Sequence, residues 1–433
     1  MEGRQFESVS RGDAWLLFLL TILNVLNVVD RMLLSSFANY IVPDLQLSNT
    51  EFGLLTGLIF LIFYSVMGLF MGILADTMNR TRLIAAGVAL WSILTAVSGM
   101  AKGFFSLAIP RMFIGIGEAV MTPSAMSIIA DRFPKQRLGF ISGIYYMGAP
   151  IGGGLSLLLA GYLGPIIGWR ACFYLLGGIG VLLAAIMFFM RETPRRSFAA
   201  VDSSVETLPL KSVVRTTIQM IISSPALVLV IAGGTIFHIM MGSTFFDQLW
   251  FVNERGFERD QIAQLTGWLV LTGGITGSLL GGIGGDRLMT KTGLGRSAFL
   301  CIIMITFAPF ILAFRLSEAG SVWILVGMFF AVVQMGAIFG PIFATVQELA
   351  PAQVRATTVA VTIMSFNILG LGIGITGTGI AVDWVISRGW EQPYSIVISS
   401  ATLFSYLAVP CFYLSGRWFK RDKERVHATK IFC

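Results

Sequence analysis

Twelve runs of largely apolar residues, each close to the length that crosses a bilayer, constrain this chain more than any other feature. A helix needs about 20 such residues to span a hydrocarbon core ~30 Å thick. Runs of that kind lie at roughly 14–40, 51–74, 82–101, 105–131, 137–163, 169–190, 226–250, 262–285, 297–315, 321–346, 357–381 and 393–415. Backbone groups inside lipid must be satisfied within the protein, so single runs of this length are expected to be helical. The fold class expected is an all-α membrane protein with twelve transmembrane helices. Composition agrees, because only 12% of the 433 residues are charged, against about 25% in a soluble domain. The first run is long and lacks a small-residue cleavage site, which argues against a removed signal peptide.

Lys and Arg set the orientation. With the N-terminus placed in the cytoplasm, inside segments hold 22 of them and outside segments 6. The remaining two, Arg31 and Arg111, lie within spans. Both termini are therefore expected in the cytoplasm. This asymmetry also accounts for the net charge of +7 without a nucleic-acid partner. The tail RWFKRDKER is expected to rest on anionic lipid headgroups. Four scattered Cys and two His form no disulfide or zinc pattern, and no metal or cofactor is expected.

The longest polar interval, 191–225, divides the chain into two halves that resemble each other. Gly72-Ile-Leu-Ala-Asp76 closes the second span and Gly282-Ile-Gly-Gly-Asp286 the eighth. Pro123 lies fourteen residues before Arg137, and Pro341 fourteen before Arg355. The domains expected are a six-helix bundle over 1–190, a cytoplasmic linker over 191–225, a second six-helix bundle over 226–416 and a basic tail over 417–433. Two such repeats related by an axis along the membrane normal are a secondary-transporter architecture.

GILADTMNRTR (72–82) resembles the loop between spans two and three of the major facilitator superfamily. RMFIGIGEA (111–119) and GAPIGG (148–153) resemble its fourth- and fifth-span motifs. The loop departs from the usual pattern at Thr77, where a basic residue is common, and at Asn79, where Gly is common. VVDRMLLSSF, LQLSNTEFGLL and YYMGAPIGG are similar to the spinster-like branch, whose animal members move lysolipids such as sphingosine-1-phosphate. The resemblance implies two pseudo-symmetric six-helix bundles working by alternating access. The short termini suggest a bacterial member; the location expected is the inner membrane, and the state a monomer.

The clearest chemical signal is charge inside spans. Ionisable residues there are costly and mark substrate or proton pathways. Arg111 and Glu118 are seven apart on span four and share a face, which Thr122 continues. Asn24, Asn27 and Arg31 share a face of span one at spacings of three and four. Span one runs outward and span four inward, so Asp30, Arg31, Arg111 and Glu118 reach overlapping depths and can meet. A structural ion-pair network is the plainer reading. The sharper one makes Asp30 or Glu118 a proton carrier, with Arg31, Arg111, Asn24, Asn27 and Thr122 receiving an anionic headgroup. Burial and a neighbouring guanidinium act in opposite senses on a carboxyl's proton affinity, so rocking between two states changes both. His238 is either a packed core residue or a further substrate contact.

Asp76, Arg80 and Arg82, with Asp286 and Arg287, sit at cytoplasmic span ends. They read as solvated loop charges or, from their recurrence in both halves, as a gate. Gly273, Gly277, Gly281 and Gly285 recur every four residues, a spacing that lets helices approach closely. Gly372-Ile-Gly374-Ile-Thr-Gly377 matches a dinucleotide fingerprint by letter but lies within a span, where that reading fails. There is no GxxxxGK[ST], HExxH or GxSxG, so neither ATP-driven transport nor an enzyme is expected. The function expected is proton-coupled transport of an amphipathic, anionic or zwitterionic lysolipid-like substrate. The alternatives are an organic-anion or drug proton antiporter and, outside transport, an intramembrane receptor or scaffold.

Overall fold

The structure, a computed structural model, describes residues 10–134, 137–195, 210–292, 295–318, 320–351 and 354–428. It is 88% helical, with no strand among the described residues. Among the described residues, twelve helices are long and apolar enough to cross a membrane. They are α1 (Arg11–Ser36), α2 (Asn49–Thr77), α3 (Arg80–Ser98), α4 (Phe104–Arg132), α5 (Leu138–Tyr162), α6 (Gly164–Phe189), α7 (Pro225–Arg255), α8 (Arg259–Leu288), α9 (Arg296–Leu316), α10 (Val322–Leu349), α11 (Thr357–Ser387) and α12 (Pro393–Arg425). Each apolar run of the sequence falls on one of them.

Two features go beyond the sequence reading. The polar interval 191–225 contains a further helix, Leu210–Ser223, hidden in the sequence by its Lys, Arg, Ser and Thr content; residues 196–209 of that interval lie outside the described residues. The start of the tail continues the last helix to Ala428. Part of its charge is used within the protein. Asp422 accepts from Ser224 Oγ and from the Ala226 amide, both at 2.9 Å, at the start of α7. Lys423 donates to Glu348 on α10 at 3.0 Å. An acid suits a helix N-terminus, where amides lack intrahelical partners.

Contacts divide the chain into two units, Met1–Leu47 with Ile59–Val201, and Ser48–Leu58 with Asp202–Cys433. The first residues of α2 thus belong to the second unit. In the first unit α1 packs on α5, and α3 packs on both α4 and α6. These contacts are close because of small residues. A Cβ at Gly148 of α5 would lie 2.6 Å from Asn24 Nδ2 on α1, and one at Gly117 of α4 would lie 3.0 Å from the Gly87 carbonyl on α3. The Gly residues of the fourth- and fifth-span motifs therefore set helix spacing.

Arg80, at the start of α3, is 1% exposed. Its guanidinium pairs with Asp131 at the end of α4 and, at 2.8 Å, with Glu192 after α6. It also donates to Ser127 Oγ at 2.9 Å and to the Thr193 carbonyl at 2.7 Å. Arg80 is thus a buried clamp and not a solvated loop charge. Asn79, one of the departures from the motif, caps α3 by accepting from the Arg82 amide at 2.9 Å.

In the second unit α10 packs on α8 and α9, and α7 packs on α11 and α12. The glycine row on α8 meets α10, since a Cβ at Gly277 or Gly281 would sit 2.3 Å from the carbonyl of Val333 or Ala337. Gly374, within the GxGxxG letters, would meet the Ile239 carbonyl of α7 at 2.3 Å. Both rows serve packing. Arg296, at the start of α9, pairs with Asp286 at 3.1 Å and with Glu348. It occupies the place in this unit that Arg80 holds in the other.

Candidate functional site

The charged residues of α1 and α4 meet within the first unit. Arg31 donates to Glu118 Oε2 through Nε at 3.2 Å and Nη2 at 3.1 Å. The same Nη2 donates to Asn27 Oδ1 at 3.2 Å. The guanidinium lies 4.2 Å from the ring centre of Tyr64 and 5.5 Å from that of Phe60, both on α2. The Glu118 side chain is fully buried and that of Arg31 is 22% exposed. Arg31 is therefore the member of the pair open to an incoming group. Glu118 Oε1 has no hydrogen-bond partner.

Arg111 is used differently from the sequence expectation. Its Nη2 donates to the Arg31 carbonyl at 2.8 Å and its Nη1 to the Asp30 carbonyl at 3.4 Å. Its guanidinium stacks 4.5 Å from the Phe60 ring centre, and the residue is 3% exposed. Arg111 ties α4 to the backbone of α1 and sits under an aromatic lid. Asp30, 2% exposed, lies near Trp91 and Thr95 of α3 and within the field of Arg111. Neither of its carboxylate oxygens, nor Trp91 Nε1, nor Thr95 Oγ1, has a hydrogen-bond partner. An acid and two donors thus stand together, near enough to interact and short of full hydrogen-bond geometry.

The other expected residues are placed as follows. Asn24 donates to the Tyr145 carbonyl of α5 at 2.8 Å, so it joins helices and leaves the Arg31 face. Thr122 is 3.5 Å from Tyr145 Oη. His238 lies in the second unit, 4% exposed, with its ring stacked on Phe366 at 4.3 Å and edge-on to Phe339 at 5.3 Å. Its Nδ1 is 2.6 Å from the Gly234 carbonyl, the geometry of a packed core residue. Asp76 and Arg82 are exposed at span ends. Asp286 and Arg287 are also exposed, and Asp286 is held by Arg296. Phe60, Tyr64, Trp91, Thr95 and Tyr145 stand against the candidate site residues and were not singled out by sequence reasoning. Aromatics inside an apolar span look like lipid-facing surface, and only the i, i+4 spacing of Phe60 and Tyr64 on one face hinted otherwise.

What these residues can do is limited by their setting. The site joins a half-open guanidinium, a buried carboxylate that partners it, and aromatic rings, all within membrane spans. Such a set suits recognition of a charged group and transfer of a proton.

Residues 20–375 match the model of the Major Facilitator Superfamily, and the chain belongs to that superfamily of membrane transporters. Its similarities run to the spinster proteins within it. The chain is 24% identical, over 86% of its length and 81% of the relative's, to the probable sphingolipid transporter spinster homolog 2 of Arabidopsis thaliana. It is 26% identical, over 93% of its length and 92% of the relative's, to an MFS-type efflux pump of Mycolicibacterium smegmatis. Among solved structures, a bacterial homologue of the human lysosomal transporter spinster, inward-facing and unoccupied, superposes with a TM-score of 0.80. That match covers 94% of this chain and 98% of the other at 24% identity.

Proposed function

We propose that the protein moves an amphipathic, anionic or zwitterionic lysolipid-like substrate across the inner membrane, coupled to protons, by alternating access of its two units. The observation that carries this reading is the Arg31–Glu118 pair, a guanidinium open on one side and a carboxylate buried on the other. A headgroup that takes Arg31 leaves Glu118 as a buried, unpaired charge. Such a charge is expensive in a low-dielectric site and is relieved by taking a proton. Substrate binding and protonation of Glu118 are thereby linked. The Tyr64 and Phe60 rings offer apolar surface beside the charge, which fits a molecule with a polar head and an apolar chain. Asp30 is the second proton site, beside Trp91 and Thr95.

The test is uptake of a fluorescent lysophospholipid by purified protein in sealed liposomes under an imposed pH gradient. Uptake should follow the gradient and be competed by anionic amphiphiles more strongly than by uncharged ones of equal chain length. Uptake indifferent to both gradient and charge would overturn the proposal. Similarity to an efflux pump favours a second reading, a proton antiporter of organic anions or drugs. It is favoured if such compounds, and not lysolipids, drive proton movement in the same liposomes.

The orientation is part of this reading. Met100, between α3 and α4, is 66% exposed, and Met78, between α2 and α3, is 50% exposed. In intact cells of a cysteine-free background, Met100→Cys is expected to react with an impermeant maleimide and Met78→Cys only after lysis. The reverse pattern places the termini outside.

A further inference from the structure

Phe60 and Tyr64 are four residues apart on α2, so they share a face of the helix. Their rings stack nearly parallel, with centres 5.6 Å apart and planes 17° apart. Gly115, between Arg111 and Glu118 on α4, lets that helix lie directly against them. A Cβ there would be 2.9 Å from the Phe60 carbonyl and 3.2 Å from the Tyr64 amide nitrogen. Both rings belong to the first unit, as do Arg31, Arg111 and Glu118.

Two guanidiniums use this pair of rings. That of Arg111 is 4.5 Å from the Phe60 ring centre. That of Arg31 is 5.5 Å from Phe60 and 4.2 Å from Tyr64. The pair is closed at one end and open at the other. Arg111 and Phe60 are 3% and 1% exposed, whereas Tyr64 is half-buried, like the Arg31 side chain it meets. Arg31 is thus held in three ways. Glu118 Oε2 takes its Nε and Nη2, Asn27 Oδ1 takes Nη2 as well, and the guanidinium lies over the Tyr64 ring. Its Nη1 donates to neither Glu118 nor Asn27.

The strongest of these holds is the one that fails in the proposed cycle. A Glu118 that has taken a proton no longer attracts the guanidinium as an anion. Arg has a long side chain with many rotamers, and ordering it costs conformational entropy. An aromatic face attracts a cation through its quadrupole. That attraction does not depend on the charge of Glu118, so it persists through both halves of the exchange.

We infer that Tyr64, seated on Phe60, is the positioning residue for Arg31. Its ring keeps the guanidinium at the headgroup site while Glu118 is neutral, and so sets the preference for anionic over uncharged amphiphiles. The ring carries this role and the hydroxyl does not. The inference rests on the function proposed above.

Two measurements test it, one with ligand and one without. In the first, full-length protein in nanodiscs binds a lysophosphatidic acid or a monoacylglycerol with the same acyl chain. Tyr64→Leu should weaken the phosphate ester about fivefold, the equivalent of about 1 kcal/mol, and leave the monoacylglycerol within about twofold. Tyr64→Phe, which keeps the ring, should recover most of the preference. A loss shared equally by both ligands, or a Phe variant as impaired as the Leu variant, overturns the inference. Should Tyr64→Leu not fold, Tyr64→Met takes its place, because the longer side chain fills more of the ring's volume.

The second measurement is thermal. Tyr64→Leu should lower Tm in the parent about twice as much as in protein already carrying Arg31→Ala and Glu118→Gln, where no guanidinium is left to hold. Equal drops in the two backgrounds overturn the inference. Unequal drops in a protein whose parent binds both amphiphiles alike would support the hold on Arg31 and tell against the proposed function instead.

Discussion

With a pH gradient as the only driving force, liposomes carrying Glu118→Gln protein are expected to accumulate no lysophospholipid above equilibrium. Substrate binding should survive within about tenfold, because Gln keeps the shape and one acceptor oxygen for Arg31. The loss follows from the pair's geometry. Arg31 meets Glu118 through a single oxygen, Oε2, and leaves Oε1 unbonded. A carboxylate held in this way has a free oxygen on which a proton can reside once the guanidinium is taken by a headgroup. The amide has no such site and no charge to relieve. Asp30→Asn provides the comparison. Asp30 forms no ion pair with Arg31, which pairs with Glu118, and lies beside Trp91, Thr95 and Arg111, so its neutralisation should slow transport while leaving gradient-driven accumulation measurable. If the Gln variant concentrates substrate as well as the parent does, Glu118 is not the coupling group, and loss of accumulation in Asp30→Asn would move that role to Asp30.

The second large effect concerns Arg31. Arg31→Ala should weaken binding of an anionic amphiphile by about thirtyfold or more, the equivalent of about 2 kcal/mol for a lost charge-assisted hydrogen bond. Removing one partner of a buried pair also costs about 3–5 kcal/mol of stability, because the other charge is left unpaired. The single variant therefore confounds recognition with folding. Arg31→Ala combined with Glu118→Gln separates them, since no charge is then stranded. The double variant should recover most of the lost Tm and still bind anionic and uncharged amphiphiles alike. Arg31→Lys should fall between, because the ammonium cannot donate in the fixed fork that engages Oε2 and Asn27 together. Recovery of selective anion binding in the double variant would show that Arg31 serves structure alone.

Much of the fold was legible because lipid imposes a simple rule on sequence. A span must be long, apolar and helical, and each of the twelve runs obeys it. Partners for the charged residues were legible in part. The helical periods of 111 and 118, and of 27 and 31, placed those side chains on shared faces, and Arg31, Asn27 and Glu118 do meet. Periodicity does not tell which atoms a long side chain will reach. Arg111 shares its face with Glu118, yet its guanidinium ends on two backbone carbonyls of α1 that no residue pattern advertises. Asn24 lies one turn before Asn27 but is drawn off by the Tyr145 carbonyl, which Gly148 allows to approach. Arg80 shows the same limit from the other direction. Its letters are those of a solvated loop, and only the return of Asp131 and Glu192 to one point makes it a buried clamp.

The Arg80 clamp also imposes an order of assembly on the newborn chain. Its partners are made late, Asp131 lying 51 residues downstream and Glu192 112 residues downstream. At about 5–20 residues per second of synthesis, the guanidinium waits on the order of 6 to 20 seconds for its second carboxylate. Until then the start of α3 must stay at the wet surface of the bilayer, where the charge is tolerated. The six spans of the first unit can lock together only after the last of them has been inserted. Arg296 repeats the constraint on a shorter interval, with Glu348 arriving 52 residues later. Each unit thus carries a late-closing fastener that withholds final packing from a half-finished bundle.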